Sequence, residues 1–274
     1  MKHYKKSLSF ILTLLILTSA QAQQRIISLN GAISEMLCAL GLESQIVGVD
    51  ISSSYPASLQ QKAKVGYNRT LSAEGVLALR PTLVLGAANE LKPQVVEQLK
   101  AANVNTQIFT QEYTVEGTRK LLQSLAAITG TVEKGKQVLA DFDKQMAGLQ
   151  LKPLNKKVLF IYARGVGAMT ICGSGTSPDQ IIRLAGASNA VPEIKDFKPL
   201  SSEALVAANP DVLLLFDTGL ESVGGEAGML KVPGVSATNA GRNKKIVTMD
   251  GQFMAGFGLR LPQAIAELNK KLSL

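Results

Sequence analysis

The sequence predicts an α/β protein of two similar lobes, each a mainly parallel sheet flanked by helices, joined by one long helix. Three observations carry that expectation. Short β-branched runs alternate with helical patterns of about ten residues, which is the signature of βαβ units and a parallel sheet. One segment returns 129 residues later, as the step from Leu71 to Leu200 shows. The longest helical stretch, Thr118–Leu149, lies between the two copies.

Along the chain, Lys2, Lys5 and Lys6 precede the apolar run Leu8–Thr18, and Ala20-Gln21-Ala22 follows. A basic start, an apolar core and small residues at that spacing read as a cleavable signal peptide over residues 1–22. The run is about 11 residues, too short for a bilayer span of roughly 20. No Cys follows the small residues, which argues against a lipid anchor, so the mature chain is expected to begin near Gln23 and to be soluble in the periplasm. Arg25–Leu29 reads as a strand, Ser34–Leu40 as a helix stopped by Gly41, and Gln45–Val49 as a second strand. Leu71–Leu79 is helical up to Pro81, Leu83–Gly86 is a strand, Lys92–Ala102 a helix, and Thr106–Phe109 a strand. In Thr118–Leu149, Leu121, Leu122, Leu125 and Ile128 form one stripe, and Val138, Phe142, Met146 and Leu149 another, with Gly130 between. Lys157–Tyr162 opens the second lobe as a strand.

The repeat pairs Leu71-Ser-Ala-Glu-Gly-Val-Leu-Ala-Leu-Arg-Pro81 with Leu200-Ser-Ser-Glu-Ala-Leu-Val-Ala-Ala-Asn-Pro210, each followed by an apolar strand. Upstream, Glu35–Asp50 and Gln180–Glu193 correspond loosely. A period this long excludes a solenoid and means two related lobes. The expected division is residues 23–117, linking helices 118–150, and residues 151–274. A cleft between lobes is a preferred ligand site, and one stiff connection argues against wide hinge closure.

Composition excludes much. His3 is the only histidine, and it leaves with the signal peptide. Without imidazole, histidine metal capture, Ser-His and Cys-His nucleophiles and a His general base all fall away. The loop Arg164-Gly-Val-Gly-Ala-Met169 contains Gly-x-Gly, but its last fingerprint position holds threonine, so a dinucleotide site is poorly supported. An exported enzyme would need a nucleophile–base pair or a complete phosphate loop, and neither is found, so no catalytic residue is assigned. Loss of three lysines takes the formal charge from +8 to +5. That excess suits an anionic ligand and is too weak and dispersed for nucleic acid. Cys38 and Cys172 lie far apart in apolar settings. A bridge is possible in an oxidising compartment, with two buried free thiols as the favoured reading.

The run Val65-Gly-Tyr-Asn-Arg-Thr-Leu-Ser-Ala-Glu-Gly-Val-Leu-Ala-Leu-Arg-Pro81 resembles the first lobe of haemin-binding periplasmic proteins. These belong to the class of ABC-importer binding proteins that also takes vitamin B12 and ferric siderophores. The resemblance continues through Ile46–Tyr55, Gly173–Ala187, Leu200–Val212 and Gly256-Phe-Gly-Leu-Arg260, nearly the whole mature chain. It implies a class III periplasmic binding protein-like fold, haem as transported ligand and no catalytic cofactor. As partners it implies an ABC permease dimer, an outer-membrane haem receptor system upstream, and a monomeric binding protein.

It also implies that Tyr67 is the axial ligand of haem iron. Ferric iron is a hard acid, and tyrosinate is an established haem ligand. A free phenol titrates near pH 10 and needs a neighbouring cation to ionise at neutral pH; Arg69, two residues on, suits that role. Arg164 and Met169 are candidates to line the cleft. Phe253 and Met254 lie in the C-terminal loop that faces ligand in this class, where stacking on porphyrin and core packing are equal readings. Glu74 and Glu203 hold equivalent places near helix starts. Compensation of the helix dipole is one reading, and docking onto permease arginines, which the family's two-fold permease favours, is the other. Some family members hold a stacked haem pair with a second-lobe histidine; none exists here, which counts against two haems. A ferric siderophore or vitamin B12 is the alternative cargo, although 5% aromatic residues and no tryptophan suit a large corrin poorly.

Overall fold

Strands that are apolar at every position belong between two layers of helix. Leu83–Ala87 has that character, as does Ile26-Ile27 ahead of Ser28, and both strands are wholly buried. A computed structural model describes residues 24–274 apart from Asn68 and Asn89; the signal peptide expected over residues 1–22 lies outside the described residues. The first lobe runs β1 (Ile26–Ser28), α1 (Gly31–Ala39), β2 (Ile46–Val49), β3 (Ala63–Lys64), α2 (Ala73–Leu77), β4 (Leu83–Ala87), α3 (Pro93–Ala101) and β5 (Asn105–Phe109). Its sheet has the order β3-β2-β1-β4-β5, parallel throughout. The chain winds outward from β1 on one side and returns beside it as β4. At such a switch point the strand ends leave a crevice.

The connection is two helices, α4 (Val115–Ile128) and α5 (Val132–Ala147), not the one long helix expected. Gly130 sits between them at φ 70°, a conformation that side-chain-bearing residues avoid. Thr131 N then donates to the Ala126 carbonyl at 2.8 Å, closing the helix end. The second lobe follows as β6 (Lys157–Ala163), β7 (Met169–Cys172), α6 (Ser177–Leu184), β8 (Ser188–Asn189), β9 (Phe197–Pro199), α7 (Ser202–Ala208) and β10 (Val212–Phe216). It ends with α8 (Asp217–Ser222), α9 (Gly225–Met229), α10 (Asn239–Arg242), β11 (Ile246–Met249), α11 (Gly251–Ala255) and α12 (Leu261–Leu272). β11, β10, β6 and β8 are parallel, whereas β7 turns back antiparallel on β6 and carries β9. The β6–β7 turn therefore projects Arg164 from the sheet end.

The sequence repeat is visible at atomic detail. Ser72 Oγ caps α2 by accepting from Gly75 N at 3.2 Å, and Ser201 Oγ caps α7 by accepting from Ala204 N at 3.1 Å. Such caps satisfy amides that the first helical turn leaves unpaired.

Each sheet is covered on both faces by an apolar cluster. Leu121, Leu122 and Leu125 of α4 complete one first-lobe cluster, and Phe142 of α5 belongs to the second lobe. Leu139 and Leu259 pack against both. The linking helices thus belong to two cores at once. Cys38 is half-buried, Cys172 is buried, and both are free thiols. Burial pushes the Cys38 thiol up to about 12, with Glu43 adding to it, and raises Cys172 as well. Among the described residues no helix is long and apolar enough to cross a membrane.

Candidate functional site

Tyr67 stands just beyond β3, at the strand end of the first lobe. Its carbonyl accepts from Thr70 N and Leu71 N, both at 2.8 Å, which shapes the turn that presents the ring. Arg164 leaves the end of β6 and opens a tight turn closed by Arg164 N donating to the Ala168 carbonyl at 2.9 Å. These two residues meet between the lobes: Arg164 Nη2 donates to Tyr67 Oη at 3.2 Å. Arg164 Nε donates to Tyr162 Oη at 2.7 Å. One guanidinium therefore joins a phenol from each lobe, with its carbon 5.5 Å and 5.1 Å from the two ring centres. The bond to Tyr67 is the main influence raising the guanidinium pKa, so the cation is permanent.

The other expected residues divide. Arg69 is exposed, two residues past Tyr67, and the guanidinium seen on the Tyr67 oxygen is that of Arg164. Met169 is half-buried at the start of β7 and packs against a second-lobe cluster. Phe253 is half-buried, its ring 5.1 Å from the Arg260 guanidinium. Met254 is fully buried in the second-lobe core, so core packing, not the crevice, claims it. With its neighbour Phe253 at the surface of the same short helix, only one of the pair can face the gap. Glu74 and Glu203 are both exposed, each the second residue of its capped helix. The hydroxyls and amides at the α7 start hold the Glu203 carboxyl below its usual range. A surface groove of about 560 Å³ runs beside Glu74, lined by Ser72, Leu77 and Gln98 among others.

Several residues of the crevice were not anticipated from the sequence. Tyr162 carries a signal that was available: Tyr162-Ala-Arg164 repeats the Tyr67-Asn-Arg69 spacing in the other lobe. Below it, Arg260 bridges the lobes. Its Nε donates to Glu35 Oε2 at 3.1 Å and its backbone N to Glu35 Oε1 at 2.9 Å. The exposed Tyr55 ring stacks on that guanidinium at 3.7 Å. Glu35 is 6% exposed, and burial raises its carboxyl pKa although Arg260 pulls it down. Gln111 Nε2 donates to the Gly256 carbonyl at 2.7 Å and Thr118 Oγ1 to that of Phe257 at 3.0 Å, two further ties between lobes.

Chemically, the crevice offers two phenols, a fixed cation and aromatic faces. That set suits a hard metal ion already held in a flat apolar ligand, with anionic groups to neutralise. Among the described residues no three His, Cys, Asp or Glu side chains gather to hold a bare metal ion.

The model of the periplasmic binding protein family matches residues 26–253. The structure of a periplasmic haem-binding protein, RhuT from Roseiflexus sp. RS-1, is 38% identical, with a TM-score of 0.86 over 91% of this chain and 98% of that one. The periplasmic haem-binding protein BhuT, solved with two haems, is also 38% identical, with a TM-score of 0.84 over 91% and 98%. The vitamin B12-binding protein of Pectobacterium atrosepticum is 28% identical over 217 residues, covering 76% of this chain and 77% of its own length.

Proposed function

This chain belongs to the periplasmic binding protein family, and on that premise we propose that it captures ferric haem in the periplasm and delivers it to the permease of an ABC importer. It performs no catalysis of its own. The observation that carries this reading is the Arg164 guanidinium held between Tyr67 and Tyr162, one phenol from each lobe. The two haem-binding structures at 38% identity support haem as the cargo.

In the proposed complex Tyr67 binds the iron as phenolate in a five-coordinate, high-spin site. Arg164 holds the phenolate by charge and hydrogen bond, and Arg69 adds positive charge from the exposed side of the turn. Phe253 and Met169 contribute apolar surface for the porphyrin. Thioethers bind ferric iron weakly, and the raised Cys172 thiol stays protonated, so neither displaces a phenolate. Glu74 and Glu203 dock on the two-fold permease. An outer-membrane receptor upstream and a monomeric state complete the reading.

The test is an absorption titration of the mature protein with ferric haemin. Wild type is expected to show a tyrosinate charge-transfer band, and Tyr67→Phe to lose it. A Tyr67→Phe spectrum equal to that of wild type would mean that another residue holds the iron. A second reading has a specific basis, since Arg164 approaches Tyr162 more closely than Tyr67: Tyr162 serves as an iron donor too. Loss of the band in Tyr162→Phe as well, or an endpoint of two haems per chain, would favour it. Vitamin B12 is the remaining alternative cargo, and calorimetric titration with a cobalamin distinguishes it.

A further inference from the structure

One side chain crosses the floor of the crevice. Gln252 stands on α11 in the second lobe and reaches into the first. Its Oε1 accepts from Ser54 N at 2.8 Å, Ser54 Oγ at 2.8 Å and Tyr55 N at 3.1 Å. Its Nε2 donates to the Gly31 carbonyl at 3.0 Å. The opposite lobe is shaped to receive it: a Cβ on Gly31 would lie 2.9 Å from Gln252 Cδ. Only glycine at the head of α1 leaves room for the amide.

Gln252 also closes a circuit of contacts. On the first-lobe side, the loop bearing Ser54 and Tyr55 is tied to the Tyr67 turn by Ile51 N, which donates to the Gly66 carbonyl at 3.0 Å. On the second-lobe side, Gly251 lies against Phe216, where a Cβ would be 3.6 Å from the ring. The Phe216 ring meets Tyr162 edge-on at 5.9 Å between centres. Tyr162 holds Arg164, and Arg164 reaches back to Tyr67. This circuit passes between the lobes twice, through Arg164–Tyr67 at the mouth and through Gln252 at the floor. A cargo that binds Tyr67 enters at the upper link, because the phenol oxygen it takes is the one that already accepts from Arg164.

We infer that Gln252 is a positioning residue: it holds the Tyr67 turn in register with the second lobe, so that the Tyr67 oxygen stays within reach of Arg164 as the cargo enters. The inference rests on the proposed cargo site only for the identity of what enters. Glu35–Arg260 and the ties to Gly256 and Phe257 bond to other segments, α1, the β5–α4 connection and α4; Arg260 meets the loop before Tyr67 only by stacking on the Tyr55 ring at 3.7 Å, whereas Gln252 bonds its backbone. A half-buried primary amide with four bonds is also strongly directional, so it fixes orientation as well as distance.

The test uses Gln252→Met, which keeps the side-chain length without its hydrogen bonds, and Gly31→Ala, which displaces the amide from the other lobe. The first readout needs no ligand: residual dipolar couplings of the haem-free mature protein. Wild type is expected to fit one alignment tensor for both lobes, and each variant to need two. The second readout is haemin. Each variant is expected to release it about tenfold faster and to lose the tyrosinate band on acidification at a higher pH than wild type. Variants that keep one tensor overturn the inference, whatever they do to haemin. Variants with two tensors and wild-type release and midpoint overturn it too, since the register would then not matter to the site. Wild-type protein that binds no haemin sinks the proposed function instead, and the couplings still decide the clamp.

Discussion

A guanidinium that contacts a phenol favours the charged phenolate, and two arginines compete for that role beside Tyr67. Arg164 makes the bond seen here at 3.2 Å, whereas Arg69 was the expectation from sequence. In the haemin complex both Arg164→Ala and Arg69→Ala are expected to lose the tyrosinate band at a higher pH than wild type, with the larger displacement for Arg164→Ala. A pH titration of the band measures it, and equal midpoints in all three proteins would deny either cation a role. Glu35 supplies a second pH effect, of known sign. Its carboxyl is raised in the folded protein by burial, above an ordinary value of about 4.5. The native state therefore holds a proton that the unfolded chain has released, and this group's contribution is complete below that ordinary value and is lost as pH rises through the raised one. Glu35→Gln is expected to flatten the fall in stability from about pH 4.5 upward, while Arg260 loses its counter-ion only at pH values where Glu35 is ionised in the folded protein. Urea midpoints measured across that range give the slope, and an unchanged slope would contradict the assignment. Tyr67 was legible because it sits in a contiguous motif. Glu35 and Arg260 were not, because 225 residues separate them and no local pattern joins them. Met254 stayed open between core and ligand in the sequence for the opposite reason: a five-residue helix has too little periodicity to tell its buried face from its exposed one.

At the scale of elements, buried parallel strands read clearly as apolar runs, and β1, β2, β4, β6 and β10 all lie where such runs stand in the sequence, whereas β5 is mostly polar and half-exposed. The antiparallel pair β7 and β9 left no such mark, since Met169–Cys172 is half-exposed and Phe197–Pro199 is exposed. The linking stretch read as one helix because only Gly130 separates its two apolar stripes from an unbroken helical pattern, and that single residue at φ 70° was enough to break it. The internal repeat transferred best: α2 and α7 share a serine cap and a glutamate at the second helical position. That glutamate compensates the helix dipole, and both carboxylates stand on exposed, equivalent surfaces. Docking makes a different forecast. Glu74→Ala combined with Glu203→Ala is expected to leave haemin affinity nearly unchanged while slowing permease-dependent uptake in vesicles or cells. A double variant whose uptake defect follows entirely from weaker haemin binding would return both residues to a purely structural role.

At the scale of the molecule, two lobes of this kind need not behave as one cooperative unit, because each sheet has its own pair of apolar clusters. What couples them is α4 and α5. Leu121, Leu122 and Leu125 pack into the first lobe, Phe142 into the second, and Leu139 touches both. A side chain shared by two cores makes their loss interdependent, since unfolding either lobe strips α5 of half its burial. Phe142 is 2% exposed, so Phe142→Ala leaves a cavity that costs about 3–5 kcal/mol. If α5 is the coupling element, that cost is felt in both sheets. Hydrogen exchange followed by mass spectrometry at increasing urea reads the two lobes separately, through peptides from Leu83–Ala87 and Val212–Phe216. Both peptides are expected to open at one shared midpoint in wild type, and at one shared, lower midpoint in Phe142→Ala. A drop confined to Val212–Phe216, with Leu83–Ala87 unmoved, would mean that the lobes are stable independently and that their relative placement depends on the crevice contacts alone.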